Sequence, residues 1–175
     1  MCVQAMEAVV SPRNHDLIGA MQGNAETILY VEDESFVRDV TREVLRSAGY
    51  TVLAARNAVE ALAAYGEHRG QVDLLLTDVI LPGETGCVLA SKLRLQNPRL
   101  AVLLVTGYAE QVAAHQVGPA AGQAAGQADG QTECMAKPFS TVVLLRKIRE
   151  LLGERRAACE RRSRQDPVRR VSGNA

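Results

Sequence analysis

Two short apolar runs in this chain end abruptly on carboxylates. Thr27-Ile28-Leu29-Tyr30-Val31 stops at Glu32-Asp33, and Val72-Asp73-Leu74-Leu75-Leu76-Thr77 stops at Asp78. Near-continuous apolar runs of this length read as strands covered on both faces, the pattern of a parallel sheet between helical layers. Parallel strands end on one common edge, so three carboxylates converge there if the two strands are neighbours.

The rest of the chain alternates in the same way. A helix is expected from about Ser35 to Ala48, with Phe36, Val37, Val40, Val44 and Leu45 at helical spacing and Gly49 just past its end. Tyr50 to Ala55 reads as a second strand. Asn57-Ala58-Val59-Glu60 has the form of a capping box and opens a helix to about His68, broken by Gly70. The third strand, Val72 to Thr77, is followed by a loop with Pro82-Gly83 and by a helix from Thr85 or Gly86 to Gln96. Ala101 to Val105 is a fourth strand, ending at Thr106-Gly107, and Glu133 to Ala136 a fifth. Ser140 caps a last helix whose apolar face runs to Leu152, ahead of Gly153. Alternation of this kind predicts one α/β domain with a five-stranded parallel sheet. In such sheets the site lies beyond the carboxyl ends of the strands, where the strand order reverses.

Composition narrows the rest. A length of 175 residues suffices for one domain with a core, and with aromatics at 3% the packing falls to Ala, Val and Leu. The formal net charge is zero, which gives no ground for a nucleic-acid or membrane partner. Arginines concentrate from Arg155 onward, so residues 153–175 form a basic tail, read as solvated, that either extends the last helix or stays irregular. Cys2, Cys87, Cys134 and Cys159 are scattered without a C-x-x-C pair, which suits free thiols in a reducing compartment. No apolar run is long enough to span a bilayer, and residues 1–25 read as a loose leader without signal-peptide features, with Met21 as an alternative start. A cytoplasmic protein is expected. Residues 118–131, GPAAGQAAGQADGQ, repeat glycine every four positions and read as a low-complexity insert, since each interior glycine costs a helix about 1 kcal/mol.

The strand-end residues make a chemical set. Glu32, Asp33 and Asp78 repel one another and call for a cation, and oxygen ligands favour Mg²⁺ or Mn²⁺ over zinc. Thr106 offers a hydroxyl, Lys137 a fixed positive charge, and Gly107 leaves space beside them. An anionic nucleophile with a hard cation, a hydroxyl and an ammonium group suits a phosphoryl group on Asp78, because such transfer is mostly positioning and charge neutralisation.

The chain resembles the response-regulator receiver domains of two-component signalling. The matching segments are Ile28-Leu29-Tyr30-Val31-Glu32-Asp33-Glu34, Leu76-Thr77-Asp78-Val79-Ile80-Leu81-Pro82 with Gly86, Thr106-Gly107-Tyr108-Ala109, and Lys137-Pro138-Phe139. The wording is nearest to the C-terminal receivers of hybrid sensor histidine kinases, and the resemblance covers roughly residues 26–152. It implies a flavodoxin-like doubly wound sheet of order 2-1-3-4-5. It implies that Asp78 accepts the phosphoryl group from a histidine kinase or histidine phosphotransfer protein. Glu32, Asp33, Asp78 and the main-chain carbonyl of Ile80 would hold the Mg²⁺; Thr106, Gly107 and Lys137 would meet the phosphoryl oxygens. Ile80 and Tyr108 would flank the path of the hydrolytic water, and the Lys137–Pro138 peptide would be cis. Two departures bear on output. Cys134 stands where family members carry an aromatic switch residue, and the 118–131 segment replaces a regular helix between the fourth and fifth strands. The tail is too short to build an output domain.

Other readings stand beside this one. The departures suit a diverged receiver that binds a partner without phosphate. An Asp-nucleophile phosphatase of the haloacid dehalogenase kind would need its D-x-D motif after the first strand, where this chain has Glu32-Asp33-Glu34-Ser35. Asp73 reads as a strand entrance, Glu34 as a helix N-terminal acid, Cys134 as a small core residue, and His68 and His115 as solvated.

Overall fold

The structure, a computed structural model, describes residues 26–107 and 131–165. Five strands, β1 (Thr27–Val31), β2 (Thr51–Ala55), β3 (Leu74–Asp78), β4 (Ala101–Thr106) and β5 (Thr132–Ala136), form one sheet in the order β2-β1-β3-β4-β5. All four pairings are parallel. The helices are α1 (Ser35–Ser47), α2 (Ala58–Glu67), α3 (Gly86–Gln96) and α4 (Thr141–Gln165). This is the flavodoxin-like arrangement expected from the sequence. From β1 the chain steps to one side for β2 and to the other for β3, so the switch in strand order falls between β1 and β3.

The apolar runs are two-sided because the sheet has two cores. In β3, Leu74 and Leu76 face one layer with Leu45 of α1 and Leu145, Ile148 and Leu152 of α4. Leu75 faces the other, with Ala61 and Tyr65 of α2 and Leu89 and Leu93 of α3. Burial of each Leu or Ile among them contributes roughly 1.5–3 kcal/mol relative to exposure.

Local punctuation follows the sequence in most places. Gly49 takes φ 89°, beyond the end of α1, where a side chain would be strained. Asn57 caps α2 by accepting the Glu60 N–H at 2.9 Å. The return bond differs from a full capping box: the Glu60 carboxylate accepts the N–H of Arg56, at 2.9 Å, because it is drawn to the Arg56 guanidinium at 2.6 Å. Thr85 caps α3 through the Val88 N–H, and Ser140 caps α4 through the Val143 N–H. His68 is exposed, as read from the sequence.

One strand boundary and one side chain differ from expectation. β3 begins at Leu74, because Val72 still belongs to the turn that closes on the Gly70 carbonyl. Asp73 stands at its entrance, where its carboxylate accepts the Thr27 N–H at 2.8 Å and pairs with the Arg155 guanidinium. Arg155 is therefore docked rather than solvated, in contrast to the reading of the basic tail. Of the two courses open to the tail, the helix takes the extended one, running through Gly153 to Gln165, and an added Cβ at Gly153 would meet nothing within 4 Å. The 1–25 leader, Tyr108, His115, residues 118–130 of the Gly/Ala/Gln segment and residues 166–175 lie outside the described residues.

Candidate functional site

The acidic edge forms where β1 and β3 stop. After Val31 the chain leaves the ladder, but the Glu32 N–H still reaches the Ala55 carbonyl of β2 at 3.1 Å. Glu32 is 4% exposed, whereas Asp33 is exposed. Asp78 is the last residue of β3, and the following Val79 N–H bonds the Val105 carbonyl at 2.8 Å, so its backbone is fixed on both sides of the carboxylate. Register along β1 and β3 pairs Val31 with Thr77, which brings the next residues, Glu32 and Asp78, alongside. Carboxylate oxygens of Glu32, Asp33 and Asp78 all lie within 4.8 Å of one another.

Lys137 completes the cluster from the far edge of the sheet. Its backbone N–H bonds the Thr106 carbonyl at 2.7 Å just past β5, and its peptide bond to Pro138 is cis. Its Nζ donates to Asp78 Oδ2 at 2.8 Å and to Glu32 Oε2 at 3.0 Å. Burial alone would lower the Lys137 pKa, but the bonds and charges of Asp78 and Glu32 outweigh it and raise the pKa above the usual lysine value. Burial pushes the Glu32 carboxyl up; Lys137 pulls it part of the way back, and the Asp78 charge pushes it up again. Tyr30 shares this neighbourhood from β1. Burial pushes its hydroxyl well above the tyrosine range; a hydrogen bond with Thr41 opposes this and the Glu32 charge adds to it.

The donor set fits a hard divalent cation. Three carboxylates carry a formal charge of −3 against +1 on Lys137, and all offered atoms are oxygens. Softer ligands are not part of the cluster: Cys134 sits in β5 beside Leu104, and with Cys87 it packs against the α2–α3 core. Burial pushes the Cys134 thiol up, with the neighbouring Cys87 adding to this, which suits an inert core thiol.

The remaining sequence-derived residues flank the cluster. Thr106 ends β4, 1% exposed, and Gly107 follows it at the surface, where an added Cβ would meet nothing within 4 Å. Ile80 is 55% exposed in the loop after β3 and forms an isolated bridge with Thr85.

Sequence reasoning missed two residues of this site. Gly86, read from the sequence only as a helix start and a point of resemblance, does more: a Cβ there would lie 2.1 Å from the Asp78 carbonyl oxygen and 2.9 Å from Thr77 Cγ2, while its N–H bonds the Val79 carbonyl at 2.9 Å. The start of α3 is thus pressed against the backbone of the nucleophile candidate, which only glycine permits. Arg38 of α1 reaches back to donate to the Glu32 carbonyl at 2.8 Å and the Asp33 carbonyl at 3.2 Å. A glycine eight residues after Asp78 was a visible signal for the first; no periodicity marks the second.

Residues 28–149 match the family description "Response regulator receiver domain". The chain belongs to this family. It is 36% identical over 132 residues to the sensor kinase CckA of Brucella abortus (strain 2308), covering 75% of this chain and 13% of that kinase. The crystal structure of the receiver domain from the hybrid histidine kinase CckA superposes with a TM-score of 0.57 at 32% identity, over 72% of this chain and 98% of that one. A CheY-like receiver domain protein from Methanospirillum hungatei JF-1 gives 0.62 at 31% identity, over 77% and 99%. The chain spans only 21% of the next curated relative, a cyclic di-GMP phosphodiesterase of Thermotoga maritima, so what these relatives share with it is the receiver. Receiver domains are signalling modules of two-component systems and interact with histidine kinases. Among the described residues, no helix is long and apolar enough to cross a membrane.

Proposed function

We propose that this receiver accepts a phosphoryl group on Asp78 from the phosphohistidine of a histidine kinase or of a histidine phosphotransfer protein. The observation that carries the reading is the convergence of Glu32, Asp33 and Asp78 within 4.8 Å with Lys137 bonded to two of them. An Asp78 oxygen attacks phosphorus as the bond to the imidazole nitrogen breaks. Lys137, already 2.8 Å from Asp78 Oδ2, stands ready to pair with the new phosphoryl oxygens. Thr106 and the open space at Gly107 receive the others. Glu32, Asp33, Asp78 and the Ile80 main-chain carbonyl would hold Mg²⁺ or Mn²⁺, which when bound supplies charge neutralisation for the transferring group. Ile80 stands exposed in the loop after β3, and its apolar side chain offers an approaching hydrolytic water no hydrogen bond. The relation to the CckA receiver supports a place in a phosphorelay.

A second reading rests on Cys134. A small side chain at the switch position of β5 supplies no aromatic ring to reorient, which suits a receiver that binds its partner without regard to phosphate. Intact-mass spectrometry after acetyl phosphate and Mg²⁺ separates the two. A gain of about 80 Da, one phosphoryl group on a carboxylate nucleophile, in wild type and not in Asp78→Asn supports phosphoryl transfer. No gain in a protein that binds Mg²⁺ supports the second reading.

A further inference from the structure

We propose that Arg38 is a positioning residue for the cation-holding pair Glu32–Asp33. The inference rests on the phosphoryl-accepting reading for its function, but its geometry stands independently. Glu32 and Asp33 lie between the end of β1 at Val31 and the start of α1 at Ser35, outside both regular elements. On one side the Glu32 N–H is pinned to the Ala55 carbonyl of β2 at 3.1 Å. On the other, a single Arg38 nitrogen, Nη1, gathers both carbonyls, Glu32 at 2.8 Å and Asp33 at 3.2 Å. Arg38 is itself seated on the helix, its own N–H bonded to the Glu34 carbonyl at 2.9 Å. Together these bonds fix successive peptide planes, and the planes set the direction in which the two acidic side chains leave the backbone. No other described side chain bonds the carbonyls of both acidic residues.

Arg38 acts in two opposing ways. Its charge lies on the same side of the balance as Lys137 and weakens attraction for a cation. Its Nη1 holds the acids in register and strengthens it. Both acceptors are main-chain carbonyls, the donor is half-buried and the bond to Glu32 is short, so geometry outweighs a screened charge. Residues that orient ligands from behind commonly change metal affinity by about an order of magnitude.

The test is calorimetric titration of the full chain with Mg²⁺ alone, in wild type, Arg38→Met and Arg38→Lys. Arg38→Met is expected to raise the Mg²⁺ Kd on the order of tenfold. Arg38→Lys, which keeps the charge and one point donor, is expected to fall between. Labelling by acetyl phosphate is expected to slow at limiting Mg²⁺ and to recover at saturating Mg²⁺, a split that a general loss of stability would not produce. An unchanged or lowered Kd in either folded variant overturns the proposal, and Arg38→Lys alone decides if Arg38→Met fails to fold. Wild type that binds Mg²⁺ yet takes no phosphoryl group overturns the phosphoryl-accepting reading instead, while the Kd comparison still decides the role of Arg38.

Discussion

Lys137 and Asp78 meet across a strand that lies between their own. Their 2.8 Å contact joins the ends of β3 and β5 over the end of β4, and the same ammonium group reaches Glu32 at the end of β1. One lysine thus ties three strand ends. Lys137→Met would leave three clustered carboxylates facing one another without this counter-charge. The expected outcome in Mg²⁺-free urea unfolding is a loss of about 1–3 kcal/mol, the range for breaking charge-assisted bonds at a half-buried site. Saturating Mg²⁺ should restore more stability to the variant than to wild type. Equal midpoints for the two proteins in the absence of Mg²⁺ would show that the contact contributes nothing.

Burial raises the Glu32 pKa, so the folded protein holds that proton more tightly than the unfolded chain. Such a group stabilises the fold most when protonated, and its contribution is lost as pH rises through the folded pKa. Lys137 is also raised, so its contribution is full below the unfolded lysine value of about 10.4 and is lost only at higher pH. Two separate windows follow, one on the acid side from Glu32 and one on the alkaline side from Lys137. Without Mg²⁺, Glu32→Gln should gain stability relative to wild type as pH rises through the acid window, and the gain should shrink once Mg²⁺ is added. Thermal melts across pH on the two proteins read this directly, and a difference that does not change with pH would contradict it.

Gly86 and Gly107 offer a matched pair of substitutions. A methyl group at Gly86 meets the Asp78 carbonyl oxygen at 2.1 Å, and neither backbone can yield cheaply. At Gly107 it meets nothing within 4 Å. Gly86→Ala should therefore destabilise by about 1–3 kcal/mol or more, the range for overpacking. It should also weaken Mg²⁺ binding, because the backbone of Asp78 is what moves. Gly107→Ala should unfold within about 0.5 kcal/mol of wild type. Urea titration of both proteins checks the pair, and similar losses for the two would remove the steric account.

The sheet and the acidic edge were legible because each depends on short-range signals. Apolar runs mark the strands, parallel order places their ends together, and Asp78, Glu32 and Asp33 are the residues at which two runs stop. Lys137 could be placed for the same reason, just beyond β5. What stayed hidden depends on approach rather than pattern. Gly86 reads as a helix start until α3 is seen pressed against Asp78. Arg38 lies on a helix face like any surface arginine, and only the geometry of the β1–α1 turn shows it bending back. The pairing of Asp73 with Arg155 requires that α4 continue past a glycine, and helix propensity at Gly153 argues against that continuation.

Asp73 serves two partners, and they can be separated. One carboxylate oxygen accepts the Thr27 N–H at 2.8 Å, closing the start of β1; the other pairs with Arg155 and fastens α4 beyond Leu152. Asp73→Asn keeps an acceptor for Thr27 but gives up the ion pair, whereas Asp73→Ala gives up both. The ion pair is part-exposed and is worth no more than about 1 kcal/mol. Leaving a strand-edge N–H without its acceptor costs about 1–3 kcal/mol. The expected order of destabilisation is thus Asp73→Ala well above Asp73→Asn, with Arg155→Met close to the latter. Hydrogen exchange adds a local reading. Arg155→Met and Asp73→Asn should both speed exchange in residues 153–165 while leaving β1 protected, and only Asp73→Ala should expose the start of β1 as well. Equal protection of residues 153–165 in all four proteins would show that the helix holds its course without the pair.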